Sequence, residues 1–297
     1  MSEDEIEDHS APLIEHLAEL RTRLIRSVLA FVAGMVIMFT VAEPLLEFIS
    51  QPLADVLRAR GEDARLIFTA PQEKFFVLIR ISVIAGFAIS FPVIAHQLWR
   101  FVAPGLYKTE KNAFLPFLIA SPLLFLLGAA FAHFIVTPLA MNFFIGFSDA
   151  IPALANLIAG EGEFQPSAPS QELQTVFLGS VRESLDLALK FIFAFGLCFQ
   201  LPVLLTLMGK AGLVSAAGLR DVRKYAIVGI LVVAALVTPP DVVTQLILFS
   251  AVYGLYEISI FLVAMVEKKR KERLQAEGLW DEDEADEAPA EDAAKKE

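Results

Sequence analysis

An all-α membrane protein of six transmembrane helices, bent into a concave bundle with both termini in the cytoplasm, is the fold class the sequence predicts. Three observations carry that reading. Hydrophobic residues make up 56% of the 297-residue chain and the mean hydropathy is +0.60, against roughly 45–50% apolar residues in soluble domains. Six stretches approach the length of about 20 apolar residues that a helix needs to cross a bilayer. Basic residues also fall as an even number of spans requires. Residues 1–26, 100–111, 207–224 and 267–297 hold 3, 3, 4 and 7 Lys or Arg, while the intervening loops hold only Arg58, Arg60, Arg65 and Lys74. Such residues collect on the cytoplasmic side.

Taken in order, residues 1–23 read as a cytoplasmic acidic tail followed by an amphipathic helix. Residues 1–15 carry six acids and neither Lys nor Arg, so no cleaved secretory leader is expected. In EHLAELRTRLIRS, residues 15–27, Leu13, Leu17, Leu20 and Leu24 recur at helical spacing, and Glu15, Glu19 and Arg23 form an i, i+4 row. The transmembrane domain over 24–266 holds spans at about 24–46, 75–102, 113–144, 176–208, 225–237 and 243–266. Pro92, Pro116, Pro122, Pro138 and Pro202 interrupt the second to fourth spans. Kinks of this kind are tolerated where neighbouring helices satisfy the freed carbonyls, and a concave bundle accommodates them.

Outer loops at 47–74 and 145–175 are predicted as irregular backbone from their Pro, Gly and Ser content, with a short surface helix at 151–158. The fifth span is the odd one: its residues make a helix of about 20 Å against about 30 Å of hydrocarbon. It stops at Thr238-Pro239-Pro240-Asp241, so the turn after it is expected to lie below the outer surface. Residues 267–297 read as a basic anchor, Lys268-Lys269-Arg270-Lys271, then a disordered acidic tail.

Charge and motifs exclude several classes. Residues 277–297 carry ten acids against Lys295 and Lys296, so the two tails hold −14 of the net −11 and the body is +3. That leaves no dense basic face for nucleic acid. Cys198 is the lone cysteine and reads as a packing residue. There is no H-E-x-x-H or G-x-S-x-G, and His9, His16, His96 and His133 are scattered. No enzymatic activity, metal or cofactor is expected.

Two carboxylates draw attention. Glu19 is spaced for an intrahelical pair with Arg23, and Glu110 suits the first turn of a helix capped by Thr109. Phe101 would fit an interfacial aromatic belt with Trp99 and Tyr107. The predicted topology, however, puts Glu19 and the 103–111 turn on one side of the membrane. Two carboxylates flanking an aromatic there suit a ligand rich in arginine, since guanidinium binds carboxylate bidentately and a lysine ammonium cannot. Within the membrane, Glu257 is the clearest charge, costing at least about 2.5–3.5 kcal/mol if ionised at the centre. Gln200, Gln245, His133 and Asp241 add polar groups that serve either interhelical hydrogen bonding or a polar pocket. Arg182, Asp186 and Lys190 read as a solvated interfacial face.

EHLAELRTRL at 15–24, FPVIAHQLWRFVAPGLYKTEK at 91–111 and LVTPPDVVTQ at 236–245 together resemble the TatC family, the polytopic receptor of the twin-arginine protein translocase. The resemblance runs from about residue 13 to 271. It implies a six-helix, glove-shaped protein of the bacterial cytoplasmic membrane that binds twin-arginine signal peptides of folded cargo. It further implies assembly with TatB- and TatA-type single-span partners, association of copies into a homo-oligomer within the receptor complex, and transport driven by the proton-motive force. By position, Glu19, Phe101 and Glu110 match the signal-recognition residues. Leu20, Arg21, Pro52, Leu106 and Tyr107 belong to the supporting face, and Gln200, Asp241, Gln245 and Glu257 to the intramembrane polar set. The family often carries a glutamate where this chain has Gln200, which keeps hydrogen bonding and loses the titratable proton. The second outer loop is longer than usual for the family. A secondary transporter with Glu257 and Gln200 as a midplane site is the competing reading, although no repeat symmetry is visible. An intramembrane protease lacks every catalytic signature.

Overall fold

The computed structural model of the chain describes residues 3–61, 65–102, 111–147, 179–238 and 242–276. Helix α1 (Glu3–Thr40) is continuous over 38 residues. The segment expected as a tail is therefore helical from Glu3, and its period runs unbroken into the apolar stretch Leu17–Thr40. No glycine interrupts it before Gly34. Leu17, Leu24, Leu29, Val36 and Ile37 are all exposed, an outward apolar face that only lipid or another apolar helix can cover.

The first span ends at Thr40, six residues earlier than expected, and the chain turns into α2 (Ala42–Ala59). The expectation of irregular backbone from residue 47 is thus corrected. Pro44 falls in the first turn, where a missing N–H costs nothing, and Ile49, Pro52, Leu53, Val56 and Leu57 bury one face. Lys74 Nζ meets Glu43 Oε1 at 2.6 Å, tying α2 to the next helix. That hydrogen bond, with the charge attraction behind it, holds the Glu43 carboxyl below its usual range.

Helix α3 (Glu73–Val102) opens with Pro71 and a carboxylate three residues past Ala70, a helix-start signal. Helix α4 (Lys111–Phe131) passes through a π turn at Ala132–Val136 and stays helical over 137–147. Pro138 explains the turn: its ring excludes the ordinary hydrogen bond one turn back. Thr137 donates to the Ala132 carbonyl twice, through its N–H, which closes the π turn, and through Oγ1 at 2.9 Å. The fourth span is two helices, α5 (Val181–Cys198) and α6 (Leu201–Lys210), broken at Phe199–Gln200 just before Pro202. A short α7 (Ala216–Asp221), capped by Ser215, leads into α8 (Arg223–Val237) and α9 (Val242–Ala276). The last helix carries the basic anchor in regular helix ten residues beyond the expected end of the span.

Among the described residues, five helical stretches are long and apolar enough to cross a membrane: Leu17–Thr40, Glu73–Leu98, Pro116–Phe147, Val181–Lys210 and Val242–Arg273. Helix α8, 15 residues long, is the sixth and short one. Among the described residues, β1 (Leu66–Ile67) pairs in parallel with β2 (Gly179–Ser180). The innermost core joins the π turn to α5, α8 and α9 through Ala132, Val136, Phe191, Phe195, Ala234 and Leu248, each 0–1% exposed. The expected helix at 151–158 and the acidic tail from 277 lie outside the described residues.

Candidate functional site

Helices α1 and α3 pack closely because glycines meet at their crossing. A Cβ added at Gly34 would stand 2.7 Å from the Gly86 carbonyl oxygen, and one added at Gly86 would stand 2.6 Å from the Met35 backbone. Phe31 against Phe87, at 6.4 Å between ring centroids, and Arg23 within electrostatic reach of His96 show the helices running antiparallel. Glu19 lies fifteen residues before Gly34, and Phe101 fifteen after Gly86. Each is therefore about 22 Å along its helix from the crossing, at the same end of the bundle.

At that end Glu19 is half-buried and accepts from Arg23 Nε at 3.0 Å and from Arg23 Nη2. The intrahelical pair that spacing allows is thus formed, with Arg23 the buried partner. Leu20 and Arg21, the next residues, are exposed, and Phe101 is half-buried at the end of α3. Leu106, Tyr107 and Glu110 lie outside the described residues, as does Asp241. Pro52 sits at the opposite end, inside α2, beside a groove of about 350 Å³ that includes His133, Phe134 and Asn142. It is not brought near Glu19.

The intramembrane polar residues resolve into separate cross-links. Gln200 and Ser121 make a reciprocal pair: Ser121 Oγ donates to Gln200 Oε1 at 2.7 Å, and Gln200 Nε2 donates to the Ser121 carbonyl at 2.8 Å. Glu257 accepts from Arg223 Nη2 at 2.7 Å and from the Tyr253 hydroxyl at 2.9 Å. The midplane ion site imagined for a transporter therefore has its two residues engaged in different helix pairs, α4 with α5–α6 and α8 with α9. Gln245 is half-buried near the start of α9.

Two further polar centres escaped sequence reasoning. Glu73, 5% exposed, accepts from Thr69 N and Oγ1, from Ala70 N, and from Ser180 Oγ and Arg182 N, so one carboxylate joins the starts of α3 and α5. The Pro71–Glu73 spacing signals the first half of that arrangement; nothing local signals the second. Asp186 pairs with Arg80 across α3 and α5, which corrects its reading as part of a solvated face.

Six membrane-crossing helices held by such polar links define a multi-pass helical membrane protein. Its relatives say which kind. The family model of the Sec-independent protein translocase protein (TatC) matches residues 15–250. The TatC of Magnetococcus marinus is 44% identical over 271 residues, covering 91% of this chain and 90% of its own. The TatC of Aquifex aeolicus is 41% identical, with 88% and 98% covered, and that of Escherichia coli 34% identical, with 86% and 89% covered. A crystal structure of the twin-arginine translocase receptor TatC superposes with a TM-score of 0.68 at 40% identity, over 85% of this chain and 99% of that one. The chain belongs to the TatC family of protein translocase components and shares its six-helix, glove-like fold.

Proposed function

We propose that the chain is the receptor of a twin-arginine translocase, binding Arg-Arg signal peptides of folded proteins at a cytoplasmic face formed by Glu19, Phe101 and Glu110. The observation that carries the reading is the antiparallel register of α1 and α3, which sets Glu19 level with Phe101 at one end of the bundle. Glu110, nine residues after Phe101 and directly before Lys111 at the start of α4, would join them at that end. Glu19 already accepts a guanidinium, that of Arg23, so the group has the geometry the ligand needs. An incoming arginine would share or displace Arg23, while Phe101 offers a face for a second guanidinium to stack on. Leu20, Arg21, Leu106 and Tyr107 would support this face, and the peptide's apolar segment would follow the concave side.

By the distribution of Lys and Arg both termini would be cytoplasmic, and membership of the family would place the chain in a bacterial inner membrane. TatB- and TatA-type single-span subunits and further copies of the chain would complete the complex, with the proton-motive force as the energy source. Residues 1–23 and 267–297 would be its cytoplasmic flanks. Photo-crosslinking from position 101 in membranes, with Arg-Arg and Lys-Lys versions of one signal peptide, tests the reading. Labelling by Arg-Arg that fades with Lys-Lys is expected, and Glu110→Ala should abolish both labelling and export while the protein still inserts. Equal labelling by the two peptides would overturn it.

A further inference from the structure

Between α3 and α5, at the end of the bundle that carries α2, two grooves meet at Arg80. The first, about 460 Å³, is lined among others by Thr69, Gln72, Phe76 and Arg182. The second, about 360 Å³, continues along Val83, Ile84, Leu189, Lys190 and Phe193. Its walls are almost wholly apolar, and its polar groups are charged. Arg80 is neutralised by Asp186, and exposed Glu183 adds a further favourable field at Arg80. Both oxygens of Glu73 are taken by N–H and O–H donors. Among the described residues, neither the Lys190 ammonium nor the Arg182 guanidinium makes an ion pair within 4 Å.

The depth of Lys190 says what could neutralise it. Val181–Lys210 has 30 residues and so spans about 45 Å, the full bilayer with its headgroups. Lys190 comes nine residues after Val181, about 14 Å along the helix, which puts its Cα roughly 6 Å below the edge of the hydrocarbon. An extended lysine side chain covers that distance, so the ammonium ends at the edge of the hydrocarbon, within hydrogen-bonding reach of a lipid headgroup. An anionic group at the mouth of the groove completes the charge balance there through charge-assisted hydrogen bonds. We propose that this groove seats one glycerophospholipid of the surrounding leaflet. Lys190 and Arg182 hold its phosphodiester, and an acyl chain lies against Val83, Ile84, Leu189 and Phe193. The site is independent of the signal-peptide face, which lies at the other end of α3.

Native mass spectrometry of the full chain in detergent tests this, titrating phosphatidylglycerol against digalactosyldiacylglycerol, a phosphate-free lipid with the same tails. One phosphatidylglycerol should be retained in preference. Lys190→Gln should weaken its retention about tenfold, as loss of one charge-assisted contact does, and Lys190→Arg should restore it. Equal retention of the two lipids, or a Lys190→Gln variant that behaves as the parent, would overturn the assignment. A photoreactive group at Phe193 that labels a protein helix instead of lipid in native membranes would do the same.

Discussion

Gly34 and Gly86 touch backbone to backbone, and no side chain fits between them. The contact sets the register of α1 on α3 and hence the relative height of Glu19 and Phe101. A methyl group at position 86 would meet Met35 Cα and N at 2.6 Å, and backbone cannot swing aside as a side chain can. Gly86→Ala should therefore destabilise the protein by about 1–3 kcal/mol, the usual cost of overpacking. It should also reduce signal-peptide crosslinking from position 101. Gly229 is the control: a Cβ there meets nothing within 4 Å, so Gly229→Ala should be neutral or slightly stabilising. Thermal unfolding of the two variants in detergent decides the point.

Gln200 and Ser121 share two hydrogen bonds, and the variants separate them. Ser121→Ala removes only the hydroxyl bond, since the other uses the backbone carbonyl. Gln200→Leu removes both. With interhelical bonds in membranes averaging about 0.6 kcal/mol each, Gln200→Leu should cost roughly twice as much as Ser121→Ala. Gln200→Glu adds a further expectation. The protonated acid can still donate to the Ser121 carbonyl, whereas the carboxylate faces that oxygen without a proton. The stability of this variant should fall as pH rises and the acid ionises, a trend absent from the parent; unfolding at several pH values reads it.

The sequence shows what is periodic and hides what is long-range. Apolar length locates five of the spans, and the charge pattern of the loops calls for the short sixth. Helix α2 was hidden by its prolines, yet Leu45, Ile49, Pro52, Leu53 and Val56 keep an i, i+3/i+4 face, and Pro44 stands where helices tolerate proline. The π turn left no trace of its own, because Pro138 is equally compatible with a simple kink. Glu19 and Phe101 could be assigned to one end from topology, but their common height depends on the Gly34–Gly86 contact between residues 52 apart. Arg80–Asp186 and Arg223–Glu257 join different helices, and no local spacing encodes either pair.

Glu73 offers a test of how the α2 end of the bundle is held. Its five donors come from the 69–70 turn and from the start of α5, elements more than 100 residues apart in sequence. Glu73→Gln keeps one acceptor oxygen and presents an NH₂ group to backbone N–H donors. Glu73→Ala leaves all five without it. Melting temperature should fall in the order parent, Gln, Ala, and protease should cut near the β1–β2 pair more readily in the same order. Equal sensitivity in all three would mean that the strand pair, not the carboxylate, holds this end.

Arg223 stands at the first position of α8, where the helix dipole disfavours a cation. Two features offset this. Glu257 takes its guanidinium at 2.7 Å, and Tyr253 holds the other carboxylate oxygen at 2.9 Å. Both partners are more than a third exposed or close to it, 43% and 34%, so in water their coupling would be small, about 0.2–1 kcal/mol. The bilayer changes the weighing. At 15 residues α8 is about 22 Å long, some 8 Å short of the hydrocarbon, so Arg223 is drawn toward apolar surroundings unless the membrane thins. A double-mutant cycle of Arg223→Gln and Glu257→Gln, measured in nanodiscs of increasing acyl length, separates these regimes. The coupling energy should grow with bilayer thickness, because thicker hydrocarbon screens the pair less. A coupling that stays constant would mean that the lipid around α8 adapts and that the ion pair remains at the headgroups.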